Sequence, residues 1–455
     1  MIKATIDGQA VTVSPQLIEK YSRPGPRYTS YPTAPNWSKN FGPEDFAAQL
    51  AKSNAAGRPL SLYFHIPFCD ERCTFCACSV VATRRHEVAE PYLTALSGEI
   101  GRAASLVDSS RRVSQFHWGG GTPTYLSCEQ IEKLWGAIAR HFSFADNAEI
   151  SIEIDPRVTS AEQLKTLRGL GFNRTSLGVQ DFNPDVQREA GRIQSFEETK
   201  KAVDGCRELK FQSVNIDLVY GLPRQTPKSF EKTLEQVLEL NPDRIALFNF
   251  AFVPWMHAHQ RKISERDLPS GETKLEMFCG AIEVFQDAGF TFIGLDHFAK
   301  AGDELTRAQR DKTMYRNFQG YTTQADCDLI GMGVTAISSV DGSFAQNAKK
   351  LKDYEETDFE KTLATRAGLK LSTDDLLRQM VIRELFCHQQ VQLENFFALF
   401  EKERPSLETL AQDGLVELET NGLRVTPLGR LFLRNIGMVF DAYLKPGEGK
   451  FSRTV

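Results

Sequence analysis

The chain has 455 residues, 41% hydrophobic and 25% charged, a globular composition that excludes fibrous and disordered classes. Lysine and arginine number 54 against 59 acidic residues, and the net charge of −5 excludes a surface that tracks nucleic-acid phosphate throughout, while allowing a local basic pocket. No run of about 18 apolar residues occurs, which excludes a membrane-spanning helix, and without an apolar signal-type core near Met1 the expected location is the cytoplasm.

Residues 1–58 show no strong period, and Arg23-Pro24-Gly25-Pro26-Arg27-Tyr28-Thr29-Ser30-Tyr31-Pro32 reads as an extended, turn-rich arm. From about 60 to 300, short β-branched and aromatic runs alternate with stretches of helical period, the pattern of βα units on a parallel sheet. Strands are expected at Leu60–Ile66, Val113–Trp118, Ile150–Ile154, Thr175–Val179, Val214–Val219, Ile245–Ala251 and Phe290–Leu295. Helices are expected at 88–107, 128–142, 160–170, 195–209, 227–240 and 271–288. Six successive βα units over 59–300 predict an α/β fold, a partial (β/α)6 barrel.

Residues 301–371 read as a loop-rich segment that completes and connects the barrel, with Asn317-Phe318-Gln319-Gly320-Tyr321 and Ile330-Gly331-Met332-Gly333. From 372 to 455 the text turns helical: Thr373-Asp374-Asp375-Leu376 suits a cap and first turn, and Gly414–Thr426 a hairpin around Asn421-Gly422. That helix–hairpin–helix order is winged-helix-like, but Asp374, Asp375, Glu417 and Glu419 suit phosphate poorly, so no nucleic acid is expected as a partner.

Unusual residues fall where strands end. A four-cysteine loop follows the first strand, and Gly119-Gly120-Gly121-Thr122-Pro123-Thr124 the second. Glu153 and Asp155 close the third, Gln180 and Asp181 the fourth, and Asp217 lies in the fifth. In parallel βα folds those C-terminal ends carry the active site. Of nine cysteines, Cys69, Cys73, Cys76 and Cys78 fall within ten residues, which in a chain without an export signal points to metal or redox chemistry. Structural zinc takes paired ligands a dozen or more residues apart, and a thioredoxin-type site needs only a CxxC. Three soft thiolates in one loop suit an iron–sulfur cluster best, with one iron left open.

Cys69-x3-Cys73-x2-Cys76 after the first strand of a βα series resembles the radical S-adenosylmethionine enzymes. The resemblance narrows with Pro26-Arg27-Tyr28-Thr29-Ser30-Tyr31-Pro32-Thr33, Tyr63-x-His65-Ile66-Pro67-Phe68-Cys69 and His117-Trp118-Gly119-Gly120-Gly121-Thr122. Gly178-Val179-Gln180-Asp181-Phe182, Asp217-Leu218-Val219-Tyr220-Gly221-Leu222-Pro223 and Asn317–Tyr321 add to it. Together these motifs are similar to the oxygen-independent coproporphyrinogen III oxidase family, from about residue 17 to Phe451-Ser452-Arg453.

The resemblance implies oxidative decarboxylation of two propionates of coproporphyrinogen III to vinyl groups, giving protoporphyrinogen IX. It implies a [4Fe–4S] cluster on Cys69, Cys73 and Cys76, with Cys78 off it, and two S-adenosylmethionine molecules. Positions matching the first molecule's contacts are Tyr63, Gly120, Glu153, Gln180, Arg192 and Ile337; those matching the second's are Phe75, Gly121, Thr122, Asp217 and Ala251. Candidate catalytic residues are Tyr63, His65 and Arg27, with Arg84 and Arg85 as further cations for the propionates and His297 as a structural histidine. A low-potential donor, a ferredoxin at roughly −400 mV or a flavodoxin, is the expected electron source, and a monomer the expected state. The alternative is a haem-binding chaperone relative without decarboxylase activity; those relatives usually carry Phe at position 78 and lack the Pro26–Pro32 arm, and this chain has Cys78 and the arm.

Overall fold

The structure, a computed structural model, describes residues 1–445 and 451–454. Residues 446–450 and Val455, inside the 372–455 span, lie outside the described residues.

Seven parallel strands form the frame: β1 (Leu60–Ile66), β2 (Val113–Gly120), β3 (Phe144–Ile154), β4 (Arg174–Gln180), β5 (Ser213–Tyr220), β6 (Arg244–Asn249) and β7 (Asp328–Met332). Their order across the sheet is β7-β1-β2-β3-β4-β5-β6, so the first six sit in chain order and the last joins on the far side of β1. The sheet does not close. Antiparallel strands extend it to twelve, with Phe290–Gly294 at one edge and Thr365–Lys370 at the other.

Alternation within each strand sorts the two faces. Leu60, Leu62, Phe64, Ile66, Phe116, Trp118, Ile150 and Ile152 pack into one buried cluster with helix residues such as Leu96, Ile100, Ile131 and Leu134. The residues between them, Gln115, His117, Glu149, Ser151 and Glu153 among others, line a cavity on the opposite face. A period of two is what a strand needs to be apolar toward helices and polar toward a site.

Several expectations need correction. Residues 1–58 are not only an arm: Ile2–Ile6 and Gln9–Val13 pair as a hairpin that packs on helix Gly271–Asp287. Its turn residues Asp7 and Gly8 both take positive φ (51° and 75°), the geometry that makes Asp-Gly a hairpin signal. Phe290–Gly294 is not the next parallel strand beside β6, because His297–Lys300 occupies that place antiparallel to β6 and pairs outward with it. The late helix runs Thr373–His388 with Ser372 as its cap: the Ser372 hydroxyl accepts from Asp375 N and the Asp375 carboxylate accepts from Ser372 N. The hairpin pairs Val416–Glu419 with Gly422–Val425, so its turn is Thr420-Asn421, one residue earlier than expected. Gly422 is instead squeezed between strands, where a Cβ would lie 1.9 Å from the Val391 carbonyl oxygen.

Candidate active site

A cavity of about 730 Å³ lies on the polar face of the sheet. Cys69, Cys73, Cys76 and Cys78 line it, together with polar residues from β2 to β6 and Arg27 from the N-terminal segment.

The cysteine loop is held from three sides. Gly121 N donates to the Ile66 carbonyl (2.8 Å) and Thr122 N to the Phe68 carbonyl (2.7 Å), fastening the glycine run to the start of the loop. Thr74 donates through N to the Ala190 carbonyl and through Oγ1 to the Glu189 carbonyl (2.9 and 2.7 Å). His259 Nε2 and Gln260 Nε2 reach the carbonyls of Cys76 and Phe75 (2.7 and 3.2 Å). Cys69 Sγ sits 3.4 Å from Thr122 Oγ1, and Arg192 Nη1 lies 3.9 Å from Cys73 Sγ. A hydrogen bond from Cys78 brings the Cys76 thiol down to about 7 against burial, whereas burial pushes Cys69 up to about 11. Among the described residues no group of three His, Cys, Asp or Glu is arranged to hold a single metal ion. Three thiols along one anchored loop facing one cavity fit a cluster whose separate irons take one thiolate each.

The glycine run owes its composition to packing inside the protein. Gly120 has φ +111°, and a Cβ there would lie 2.5 Å from the His65 ring; at Gly121 it would lie 2.6 Å from the Phe68 carbonyl oxygen. Behind this wall, His65 Nε2 is 2.9 Å from the Ser79 carbonyl and Nδ1 is 3.0 Å from Tyr63 Oη. That pairing assigns the proton to Nε2 and makes Tyr63 the donor; burial holds His65 below its usual pKa. Tyr63 in turn stacks on His117 (centroids 5.9 Å, 14°), which does line the cavity.

Glu153 receives the Gly120 N–H (3.1 Å) and faces His117 Nε2 (3.3 Å). Burial pushes its carboxyl up, but the His117 hydrogen bond and charge outweigh that, and it stays below the usual range. Asp217 accepts from Ser176 Oγ (3.0 Å) and Asn215 Nδ2 (2.7 Å), yet burial and the charge of Glu153 raise it to about 6. Two carboxylates in one cavity with pKa values driven apart give one permanent anion and one titratable near neutrality. Gln180, at φ +70° where the register shifts after Gly178, keeps the inward parity of Arg174 and Ser176 and lines the cavity. Arg192 is buried and bridges Asp155 Oδ2 (2.9 Å) and the Gly178 carbonyl (2.7 Å), while its Nε has no partner. Arg157 grips the same Asp155 through Nε and Nη2.

The cavity thus brings together Cys69, Cys73, Cys76, Phe75, Gly120, Gly121, Thr122, Glu153, Gln180, Arg192, Asp217, Ala251 and Arg27. Tyr63, His65 and Ile337 are not among its lining residues. Arg84 lies at the rim paired with Glu71, and Arg85 is outside. His297 lines the cavity, with Nδ1 2.6 Å from Asp296 and its ring edge-on to Tyr321. Sequence reasoning passed over the floor: Glu149, Arg174 and Arg244, the arginines tied to Glu304 at 2.5 and 2.6 Å. The signal was available for Glu149 and Arg174, which hold the same parity as Glu153 on β3 and Gln180 on β4, while Arg244 shares its parity with the lining residues Ala246 and Phe248.

A parallel βα sheet with three cysteines in the loop after its first central strand defines a radical SAM enzyme, and residues 63–237 match the Radical SAM superfamily model. The chain is 47% identical over 449 residues to the oxygen-independent coproporphyrinogen III oxidase of Escherichia coli (strain K12), covering 96% of this chain and 98% of that one. It is 45% identical over 459 residues to the Synechocystis protein of the same name, covering 98% of each. The solved structure of the Escherichia coli coproporphyrinogen III oxidase, titled a radical SAM enzyme, superposes with a TM-score of 0.90 at 46% identity, covering 96% of this chain and all of that one. The chain belongs to the oxygen-independent coproporphyrinogen III oxidase family.

Proposed function

We propose that the protein converts coproporphyrinogen III to protoporphyrinogen IX without oxygen, turning two propionates into vinyl groups. The carrying observation is one cavity that joins Cys69, Cys73 and Cys76 to the cationic Arg27 and a polar wall. In this reading the three cysteines hold a [4Fe–4S] cluster and Cys78 stays off it. Such a cluster would supply the one-electron reductive cleavage of S-adenosylmethionine, the radical chemistry that oxidative decarboxylation of a propionate requires.

The chain's own residues then have distinct tasks. Glu153, an anion at neutral pH, faces an ammonium or a ribose, and Arg192 a carboxylate. Gly120 and Gly121 keep the wall thin, and Gln180 supplies an amide on the same side. Phe75, Thr122, Asp217 and Ala251 serve a second S-adenosylmethionine, with Tyr63, His65 and Ile337 supporting the wall from behind. Arg27 meets a propionate. The 1–58 segment contributes to the substrate site, 59–300 holds the cluster loop, 301–371 completes the sheet and 372–455 covers the mouth. Within this reading the protein is a cytoplasmic monomer reduced by a flavodoxin or ferredoxin.

The test is the tetrapyrrole mass after anaerobic incubation of reconstituted protein with coproporphyrinogen III, S-adenosylmethionine and dithionite. Loss of two carbon dioxides and four hydrogen atoms supports the proposal. Unchanged substrate beside cleaved S-adenosylmethionine overturns the substrate assignment, and haem binding without turnover would favour the chaperone reading.

A further inference from the structure

The cysteine loop is gripped from outside the cavity by the segment that follows β6. Gln260, fully buried there, donates through Nε2 to the carbonyls of Phe75 and Ala251 (3.2 and 3.1 Å) and accepts from Val253 N (2.7 Å). The next residue back, His259, places Nε2 2.7 Å from the Cys76 carbonyl. Past Ala251, no residue of this segment lines the cavity.

Its outer surface has an unusual make-up. Met256 N and His257 N both donate to the Val253 carbonyl (2.9 and 3.0 Å), a turn that carries Trp255 and Met256 at its tip. They are 55% and 62% exposed, and among the described residues they are the only adjacent pair of large hydrophobics left open to solvent. Scattered exposed apolar residues need no explanation, whereas an aromatic beside a methionine, with cations around them, has the composition of an interface centre. From Ala251 to Ser264 the chain has no acidic residue but has Arg261 and Lys262, both exposed. Arg261 Nε folds back on the Pro254 carbonyl (3.3 Å), beside the turn. Arg72 comes to the same place from the cysteine loop, and its charge acts on both the Cys76 thiol and His257. Among the described residues Arg72, Arg261 and Lys262 form no ion pair; Arg72 meets the Val80 carbonyl instead. Nearby acids already have cations, Glu71 with Arg84 and Glu189 with Arg224 (3.3 Å), and Glu265 and Asp267 further on are outnumbered by Arg261, Lys262 and Arg266. The face is therefore apolar at its centre and positive around it.

We infer that the Pro254–Lys262 surface, with Arg72, is the docking face for a small acidic electron-transfer protein of low potential. The inference rests on the functional reading above, which requires electrons to enter through the cysteine loop. In that step the donor is oxidised by one electron, and the electron is consumed in breaking the S–C5′ bond of one S-adenosylmethionine to methionine and a 5′-deoxyadenosyl fragment. A donor seated here stands one hydrogen bond from the Cys76 backbone, through His259, and leaves the cavity free for substrate. Electron-transfer encounters are small and transient, and opposite charge around an apolar centre speeds and orients them without holding the partner long.

The test uses flavodoxin, an acidic low-potential carrier, with reconstituted holoenzyme. Two quantities are read: the Kd for flavodoxin, and the rate of 5′-deoxyadenosine formation driven by reduced flavodoxin or by dithionite. Arg261→Glu/Lys262→Glu is expected to weaken flavodoxin binding about tenfold at low salt and to leave the dithionite-driven rate at the parental value; near about 0.5 M salt the loss in binding should shrink to within about threefold. Unchanged flavodoxin binding in that variant overturns the docking face. A dithionite-driven rate that falls in step with the flavodoxin-driven one also overturns it, because the segment would then only shape the cysteine loop. If the double variant fails to fold, Trp255→Ser decides: about tenfold weaker binding supports the face and unchanged binding overturns it. A parent enzyme that dithionite drives but that binds no flavodoxin overturns the docking face, whereas a parent that cleaves no S-adenosylmethionine with dithionite overturns the functional reading instead.

Discussion

The ion cluster under the cysteine loop makes an asymmetric prediction. Asp155 is 6% exposed and carries two arginines: Arg192 at 2.9 Å, and Arg157 through Nε at 3.0 Å and Nη2 at 2.7 Å. Arg192→Met leaves Asp155 neutralised by the Arg157 fork, so the loss is the Arg192 ion pair and its hydrogen bond to the Gly178 carbonyl, about 2 kcal/mol. Asp155→Ala instead strands Arg192, 8% exposed, without a carboxylate, and removing one partner of a buried pair costs about 3–5 kcal/mol. The acid variant should therefore be the less stable by at least ~1 kcal/mol. Burial alone would raise the Asp155 carboxyl, but both arginines hold it below its ordinary 3.8. The stability it contributes is therefore complete above pH about 4 and is lost as pH falls through its lower folded value. Urea unfolding of the unreconstituted chain at pH 7.5, followed by tryptophan fluorescence, measures both variants. Arg192→Met proving as destabilising as Asp155→Ala would refute the view that Arg157 suffices to neutralise the acid.

Three further outcomes follow from the same geometry. Cys73→Ser should abolish the cluster's visible absorbance after reconstitution while Cys78→Ser retains it; a cluster that survives in the first variant removes Cys73 from the ligand set. Gly120→Ala forces a Cβ to within 2.5 Å of the His65 ring at φ +111° and should destabilise by at least ~2 kcal/mol with loss of S-adenosylmethionine cleavage, whereas a variant of parental melting temperature and activity would contradict the packing. Glu99, buried and bonded to Gly333 N, Asn347 and Tyr354, is raised by burial from 4.5 to about 7, so the unfolded chain ionises it first and stability falls as pH rises from 4.5 to 7, by an order of ~3 kcal/mol. Glu99→Gln should flatten that part of the stability curve, and an unaltered slope would show that other groups set it.

Much of the frame was legible because each central strand carries its burial code at period two. Leu60, Leu62, Phe64 and Ile66 alternate with Ser61, Tyr63 and His65, and the helix-facing parity is the apolar one. What escaped was of two kinds. Some features were local but overlooked, such as Asp7-Gly8 at the N-terminal turn and the parity of Glu149, Arg174 and Arg244. Others are tertiary by nature: nothing near Tyr63 or His65 in the chain says that Gly120 will stand against the His65 ring and close that side of the cavity. Strand-end position therefore overestimates site membership, since a wall one residue thick can hide a polar group at the right end of the right strand.

That wall bears on how the site works. The glycines that place backbone next to the cavity are required by His65 and Phe68 behind them, so the surface a ligand meets is set by groups it does not touch. The same holds across the mouth, where Arg434 grips Gly25 and Pro26 while Arg27, the next residue, lines both the cavity and a small hollow beside it. A C-terminal helix, an N-terminal segment and the end of β6 at Asn249 are thereby fixed to one another through a single pair of arginines. The repulsion between these two guanidiniums is offset in part by Asp296, which lines the same hollow and is itself held below the usual carboxylate range against burial, first by His297 and further by Arg27. The cysteine loop and Arg27 thus line one cavity, joined by the polar parity of the strands between them.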